Sequence, residues 1–412
     1  MNNYTDFLES YKKNKFDYYE LINVLVATET DFIKEKYLYT LPRKISLKWT
    51  NEYHSSLETD YNMWKTAHEV NLQEKVIDLN SKNKSYKQID CDFSTLQNVL
   101  SMLDVNPYDA NYEYNFDLKT LFYIKKDLEQ LNAMIGMENI KNSILHQILY
   151  FIQRLHMKPN TDSKFINKND IVDYKHTVIY GPPGTGKTEI AEIMGKIYSK
   201  IGVLQKGTFK KVCRNDLVAG YLGQTALKTK DVITSCLGGC LFIDEAYSIS
   251  SFNSGDSYSQ ECIDTLCEAL SDHKHDLMVI VAGYKDEMEN HFFPSNKGLQ
   301  SRFIWRFQIE PYNYKELYQI FKKKTTEIEW KLCDEFKEKW FENKMDKFGN
   351  YGRSIEQLLS NIKLSHSKRI FGKNPEFRRF INMEDIQNGY DSYLSHLQDN
   401  HQKKDFLNSL YV

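Results

Sequence analysis

The sequence predicts an α/β fold: a parallel sheet with helices on both faces, followed by a small all-α domain and preceded by a mainly helical N-terminal region. Three observations predict it. Between His176 and Ile309, short apolar runs alternate with stretches of helical period, the pattern of a parallel sheet whose crossovers are helices. The first of these runs ends in a glycine loop that opens directly into a helix. Beyond Tyr314 the apolar spacing is helical throughout, with no convincing strand. The expected division is 1–117 for the N-terminal region, 118–310 for the α/β domain, and 311–412 for the helical domain and C-terminal helices.

The elements follow in order. Residues 1–117 carry no repeat and no assignable motif; their clearest piece is Phe93–Val105, where Leu96, Val99, Leu100 and Leu103 fall at helical spacing behind Ser94 as a cap. The stretch from Asn106 to Glu113 breaks that pattern and reads as a linker or exposed loop. Leu118, Leu121, Leu128 and Leu131 mark one helix, and Ile140, Ile144, Ile148 and Phe151 mark a second. Between them lies a small turn, Met134-Ile135-Gly136-Met137. Asn160–Asp170 is polar and reads as surface loop. Strands are then expected at 176–180, 209–213, 240–244, 277–282 and 304–309, with helices from Lys187, at 226–235 and at 260–271.

Net charge is −2 over 412 residues, which supplies no whole-chain electrostatic attraction to nucleic acid or to an anionic membrane. The seven cysteines (91, 213, 236, 240, 262, 267 and 333) are scattered without a C-x-x-C pair, as a reducing compartment permits. Met1–Lys15 has no apolar core of the kind a signal peptide needs. Runs such as Leu21–Ala27 and Leu277–Ala282 are too short to cross a bilayer. The expectation is a soluble, cytoplasmic protein without a membrane partner.

The glycine loop is Gly181-Pro182-Pro183-Gly184-Thr185-Gly186-Lys187-Thr188, with Glu189 next in the helix. It fits G-x-x-x-x-G-K-[ST]: glycines let backbone N–H groups turn around phosphate oxygens, and the helix presents its positive end to the same anion. In that pattern Lys187 reaches the β- and γ-phosphates and the Thr188 hydroxyl binds Mg²⁺. The apolar run Cys240-Leu241-Phe242-Ile243 then delivers two adjacent carboxylates, Asp244 for the Mg²⁺ shell and Glu245 for polarising a water. Alone, such an acidic pair is commonly a solvated turn. Behind a phosphate loop in a strand–helix series it reads as the second half of a site.

On these two motifs the sequence resembles the AAA+ ATPases, and more closely the CbxX/CfqX type, which includes the red-type Rubisco activases. Asp216–Thr225, Val281–Asp286 and Asn296–Phe303 support the resemblance, which covers about residues 128–370 and is similar to copies carried by large DNA viruses. It implies an ATP- and Mg²⁺-dependent, chaperone-like enzyme working as a homo-hexameric ring, with the α/β region as the AAA+ large domain and the helical region as its lid. If viral, its place would be the host cytoplasm or the virion. By position, the resemblance implies that Ile135 and Gly136 contact the adenine and that Tyr221, with Leu222, belongs to a central-pore loop. It implies too that Arg302 completes a neighbouring subunit's site and that Arg353 is the lid's sensor arginine. One departure stands out: where many AAA+ proteins end the fourth strand in an asparagine that positions water, this chain has Ala282-Gly283-Tyr284, and Tyr284 is a weak candidate for that role.

Other signals carry less. N-K-x-D occurs at Asn14–Asp17, Asn167–Asp170 and Asn343–Asp346, none after a sheet strand, so a GTPase reading fails. His273 and His275 beside Asp272 and Asp276 read as a solvated turn rather than a metal site. The leading expectation is a ring motor that remodels or threads a protein substrate past Tyr221. The alternatives are a nucleic-acid motor or loader, against which Gly220–Gly223 lacks any lysine or arginine to meet phosphates, and a nucleotide-gated assembly scaffold.

Overall fold

The structure is a computed structural model that describes residues 85–159, 170–221, 223–250 and 257–409. Residues 1–84, most of the expected loop at 160–170 and Leu222 of the expected pore loop lie outside the described residues. The chain divides into two compact units, Met1–Lys87 with Ala110–Glu113, and Gln88–Asp109 with Tyr114–Val412. The first contributes strand Ser85–Lys87 and the start of strand Tyr112–Tyr114 to the described residues, the latter inside a stretch expected to be loop. The sheet, the helical domain and the candidate site all belong to the second.

Helix α1 (Leu96–Val105) is capped by Thr95 rather than by Ser94. The Thr95 hydroxyl accepts from the Asn98 N–H at 3.2 Å, whereas the Ser94 hydroxyl is spent on Asp92, to which it donates at 2.7 Å. The helix expected through Leu118–Leu131 breaks at Ile124 into α2 (Leu118–Tyr123) and α3 (Lys125–Asn132), because Ile124 leaves helical geometry (φ −92°, ψ 1°) while burying its side chain. Helix α4 (Glu138–Ile152) follows the Met134–Met137 turn. Leu96, Val99, Leu128, Leu131, Ile140 and Ile144 share one buried cluster.

Five strands form the sheet: β1 (Thr177–Tyr180), β2 (Phe209–Val212), β3 (Cys240–Ile243), β4 (Met278–Gly283) and β5 (Trp305–Gln308). Their spatial order is β2-β3-β4-β1-β5 and every pairing is parallel. Each lies within a residue or two of its expected place. All residues of β1, β3 and β4 are buried, as strands covered on both faces must be. Alternation then divides the core in two. Ile179, Phe242, Ile280 and Phe307 face one cluster with α4 and α5 (Lys187–Lys200). Val178, Leu241, Ile243, Val279 and Val281 face the other with α6 (Thr225–Ser235) and α7 (Ser257–Asp272). Burying each such Val, Ile or Leu contributes about 1.5–3 kcal/mol.

After α8 (Lys297–Arg302) and β5, the helical domain is built from α9 (Tyr314–Glu327), α10 (Gly352–Ile370) and α11 (Met383–Ser409). Asn313 and Glu316 cap α9 reciprocally. The core between them is aromatic: Phe336, Phe341 and Phe348 are buried, and Phe348 stacks on Tyr393 with ring centroids 5.6 Å apart. At its far end the buried Asp385 of α11 accepts from both Arg369 and His366 of α10. Among the described residues, the one departure from an all-helical reading is a two-residue parallel pair, Lys331–Leu332 with Phe380–Ile381, too short to show any period in sequence.

Candidate active site

The glycine loop leaves β1 and is pinned across the sheet, where the Gly181 N–H donates to the Gly283 carbonyl at the end of β4 at 3.1 Å. Gly184 and Gly186 sit at φ of +72° and +83°, the left-handed region that glycine enters without strain. Gly186 is the cap of α5 and offers no side chain, so the first turn's N–H groups remain available to an anion. The Lys187 ammonium folds back on the loop, donating to the carbonyls of Gly181 at 2.9 Å and Pro182 at 2.7 Å. Burial pushes its pKa down, and the charge of Asp244 opposes that shift. Thr185 is buried, its hydroxyl donating to the Pro182 carbonyl.

At the end of β3, Asp244 and Glu245 arrive beside that loop. The Asp244 N–H donates to the Val212 carbonyl at 3.1 Å, extending the β2–β3 ladder. Glu245 adopts a left-handed backbone (φ 50°, ψ 48°), a conformation that costs a non-glycine residue on the order of 1 kcal/mol or more and is common at working sites. Lys211 of β2, which sequence reasoning missed, joins them: its ammonium lies 2.7 Å from Asp244 Oδ2 and donates to Thr188 Oγ1 at 3.2 Å. A hydroxyl and a carboxylate oxygen thus converge on one cation, and that donor set suits Mg²⁺, which prefers oxygen ligands. Among the described residues no group of three or more His, Cys, Asp and Glu could hold a metal ion, and His273 and His275 both lie against Asp276.

Two cavities adjoin here. One of about 240 Å³ is lined by Pro183–Glu189, Asp244, Glu245, Tyr284 and Arg353. The other, of about 440 Å³, is lined by Met134, Ile135, Met137, Tyr312, Lys323 and Glu356 among others, and shares Gly184, Gly186, Glu189 and Arg353 with the first. Ile135 lines the second cavity. Gly136 shapes the turn instead: it sits at φ +65°, and a Cβ there would collide with the Glu316 carboxylate. Tyr312 and Met137, not foreseen, close this side, and the Tyr312 hydroxyl donates to the Thr185 carbonyl at 3.3 Å. Burial, then the Glu316 charge, pushes Tyr312 up to about 12. Near Glu245, the rings of Tyr247 and Tyr284 lie 6.0 Å apart. Burial and then the Glu245 charge raise both, Tyr247 to about 12, so both keep their hydroxyl protons at neutral pH.

Neither Arg302 nor Tyr221 lines these cavities. Arg302, at the end of α8, donates to the Ser271 hydroxyl and the Gly298 carbonyl, both at 2.7 Å. Tyr221 is 74% exposed between Gly220 and the undescribed Leu222. Among the described residues, a Cβ added at Gly220 or Gly223 would meet nothing within 4 Å beyond the adjoining chain, and Gly223 sits at φ +77°.

A family model described as "ATPase family associated with various cellular activities (AAA)" matches residues 177–303, from β1 through the α8 arginine. A putative CfxQ-like protein of Acanthamoeba polyphaga mimivirus is 37% identical over 280 residues, covering 67% of this chain and 66% of that protein, just under two thirds of its length. Stage V sporulation protein K of Bacillus subtilis is 36% identical over 246 residues, 60% of this chain and 71% of that one. The chloroplastic ribulose bisphosphate carboxylase/oxygenase activase of Cyanidioschyzon merolae is 32% identical over 268 residues, 64% of this chain and 88% of that one. Among the described residues no helix is long and apolar enough to cross a membrane.

Proposed function

The chain belongs to the AAA ATPases of the CbxX/CfxQ type, and on that footing we propose that it is a Mg²⁺-dependent motor that assembles into a ring and uses ATP hydrolysis to remodel a protein substrate. The observation that carries this reading is the convergence of Lys187, Thr188, Asp244, Glu245 and Arg353 on one cavity. These residues come from the glycine loop, from the end of β3 two strands away and from the helical domain. A site so composed closes only when the two domains approach.

In this reading Lys187 exchanges the Gly181 and Pro182 carbonyls for phosphate oxygens, which accept from it more strongly because they are charged. Thr188 and Asp244 would hold the Mg²⁺, whose chemistry is to neutralise charge on the phosphate oxygens. Glu245 orients a water and takes its proton, with the Tyr284 hydroxyl beside it as a donor. Arg353 draws α10 over the phosphates, and the base lies against Ile135, Met137 and Tyr312. Arg302 faces a neighbouring subunit's nucleotide, which makes turnover depend on assembly. Tyr221, exposed on a glycine-hinged loop, grips the substrate chain. An activase of ribulose bisphosphate carboxylase is among the relatives, and a protein is the substrate class proposed.

The test is Glu245→Gln. The variant should bind ATP as the wild type does and turn it over about 10²- to 10⁴-fold more slowly, the range for loss of a positioned general base. Unchanged steady-state turnover removes Glu245 from its role. The same variant, held in ATP, is the reagent for capturing the protein on which the motor acts.

A further inference from the structure

Lys211 contacts the two oxygens that the proposed function gives to a metal ion. Its ammonium touches Asp244 Oδ2 at 2.7 Å and Thr188 Oγ1 at 3.2 Å, the two oxygens assigned above to Mg²⁺. A divalent cation held by those oxygens and a lysine ammonium cannot occupy one position, and their like charges repel at such distance. We propose that Lys211 is a built-in cation that holds Thr188 and Asp244 together and competes with the divalent metal for them, so that metal binding requires Lys211 to swing away. The inference rests on the reading of Thr188 and Asp244 as the metal-binding pair.

The placement of Lys211 argues for this against an ordinary edge lysine. Strand β2 is an edge of the sheet, where lysines commonly serve only to block unwanted pairing. Lys210, its neighbour, fits that ordinary role: alternation turns it the other way, and its ammonium donates to the Ser235 hydroxyl at 2.9 Å. Lys211 instead crosses the Phe242 ring, 5.7 Å from its centroid, to reach the end of β3. Its charge is also felt at Lys187, whose pKa it helps to lower. Two ammonium groups thus flank the site on different elements, one fixed by the loop carbonyls and one by the metal-binding oxygens. The Lys211 side chain is half exposed, so it has open solvent to enter when it is displaced.

The experiment is a Mn²⁺ titration of the full chain with saturating ADP, free Mn²⁺ being counted by electron paramagnetic resonance. Lys211→Met should bind Mn²⁺ on the order of two- to fivefold more tightly than wild type, the range expected from losing one exposed ion pair. Lys210→Met, which removes the same charge one residue away, should bind as wild type does. Lys211→Gln serves equally if the methionine variant fails to fold, as a melting curve will show. Unchanged or weaker Mn²⁺ binding in the Lys211 variant overturns the proposal, and so does an equal gain in Lys210→Met, which would make the effect one of general charge. Asp244→Asn separates the levels: if it binds Mn²⁺ as wild type does, the metal-site reading itself fails and takes the inference with it. Loss of binding in Asp244→Asn with no change in Lys211→Met leaves that reading standing and sinks only the competition.

Discussion

Gly352, the first residue of α10, donates its backbone N–H to the carbonyl of Gly184 at 3.1 Å, so at this point the helical domain meets the glycine loop main chain to main chain. A Cβ on Gly352 would lie 2.5 Å from that same oxygen, and one on Gly184 would collide with the Asn350 carbonyl. Both positions need glycine because two backbones approach there, and the approach is what places Arg353, the next residue, over both cavities.

Gly352→Ala should therefore push α10 and Arg353 outward. Overpacking of this kind costs about 1–3 kcal/mol, so affinity for a fluorescent ATP analogue should fall roughly tenfold or more. Gly349→Ala, where a Cβ would meet nothing within 4 Å, is the control and should bind as wild type does. Equal affinity in both variants would show that this contact does not shape the site.

Arg302 gives a test of assembly. Held on Ser271 and Gly298 away from the cavities of its own chain, it should act on a neighbour. Arg302→Ala should lower turnover on the order of 10³-fold, as loss of an arginine supplied in trans does. Mixing it with Glu245→Gln subunits, which keep Arg302, should restore part of that activity. No recovery at any mixing ratio would count against a shared site.

Tyr221→Ala should separate two readouts. It should abolish remodelling of a protein captured with Glu245→Gln while ATP turnover persists, since the ring lies on a loop outside both cavities. Intact remodelling would sink the threading mechanism.

Acid should weaken the fold through His176. Buried immediately before β1, it accepts at Nδ1 from the Val279 N–H at 3.1 Å, so Nε2 carries the proton and donates to the Leu270 carbonyl. Burial lowers its pKa to about 3 against an ordinary 6.5. The unfolded chain therefore binds a proton that the folded chain refuses, and the stability present above about pH 6.5 is lost as pH falls toward 3, by up to about 1.4 kcal/mol per pH unit. His176→Phe should be less stable at pH 7, having lost two hydrogen bonds, yet show a flatter decline between pH 6.5 and 4 in urea denaturation. A parallel decline in both proteins would mean that His176 titrates freely when folded.

Much of this arrangement could be read from local pattern. Strands β1, β3 and β4 were legible because each is an apolar run, β2 and β5 from the strand–helix alternation around them, and the glycine loop because phosphate binding demands fixed spacing along the chain. Thr95 displaced Ser94 as the α1 cap because Asp92 had already claimed the serine, a competition between neighbours that residue type alone does not decide. Ile124 broke an apparently continuous helix because its own burial outweighed helical continuity.

By itself the sequence determined where the strands, the phosphate loop and the acidic pair lie, since each of these is written within a dozen consecutive residues. Only the tertiary structure decided that Lys211 reaches Thr188 and Asp244, that Met137 and Tyr312 wall the second cavity, and that Gly352 meets Gly184. Those relationships join residues far apart in the chain. Strand order and helix packing bring them together, and no local period records which distant backbone or ammonium will fill the space beside a loop.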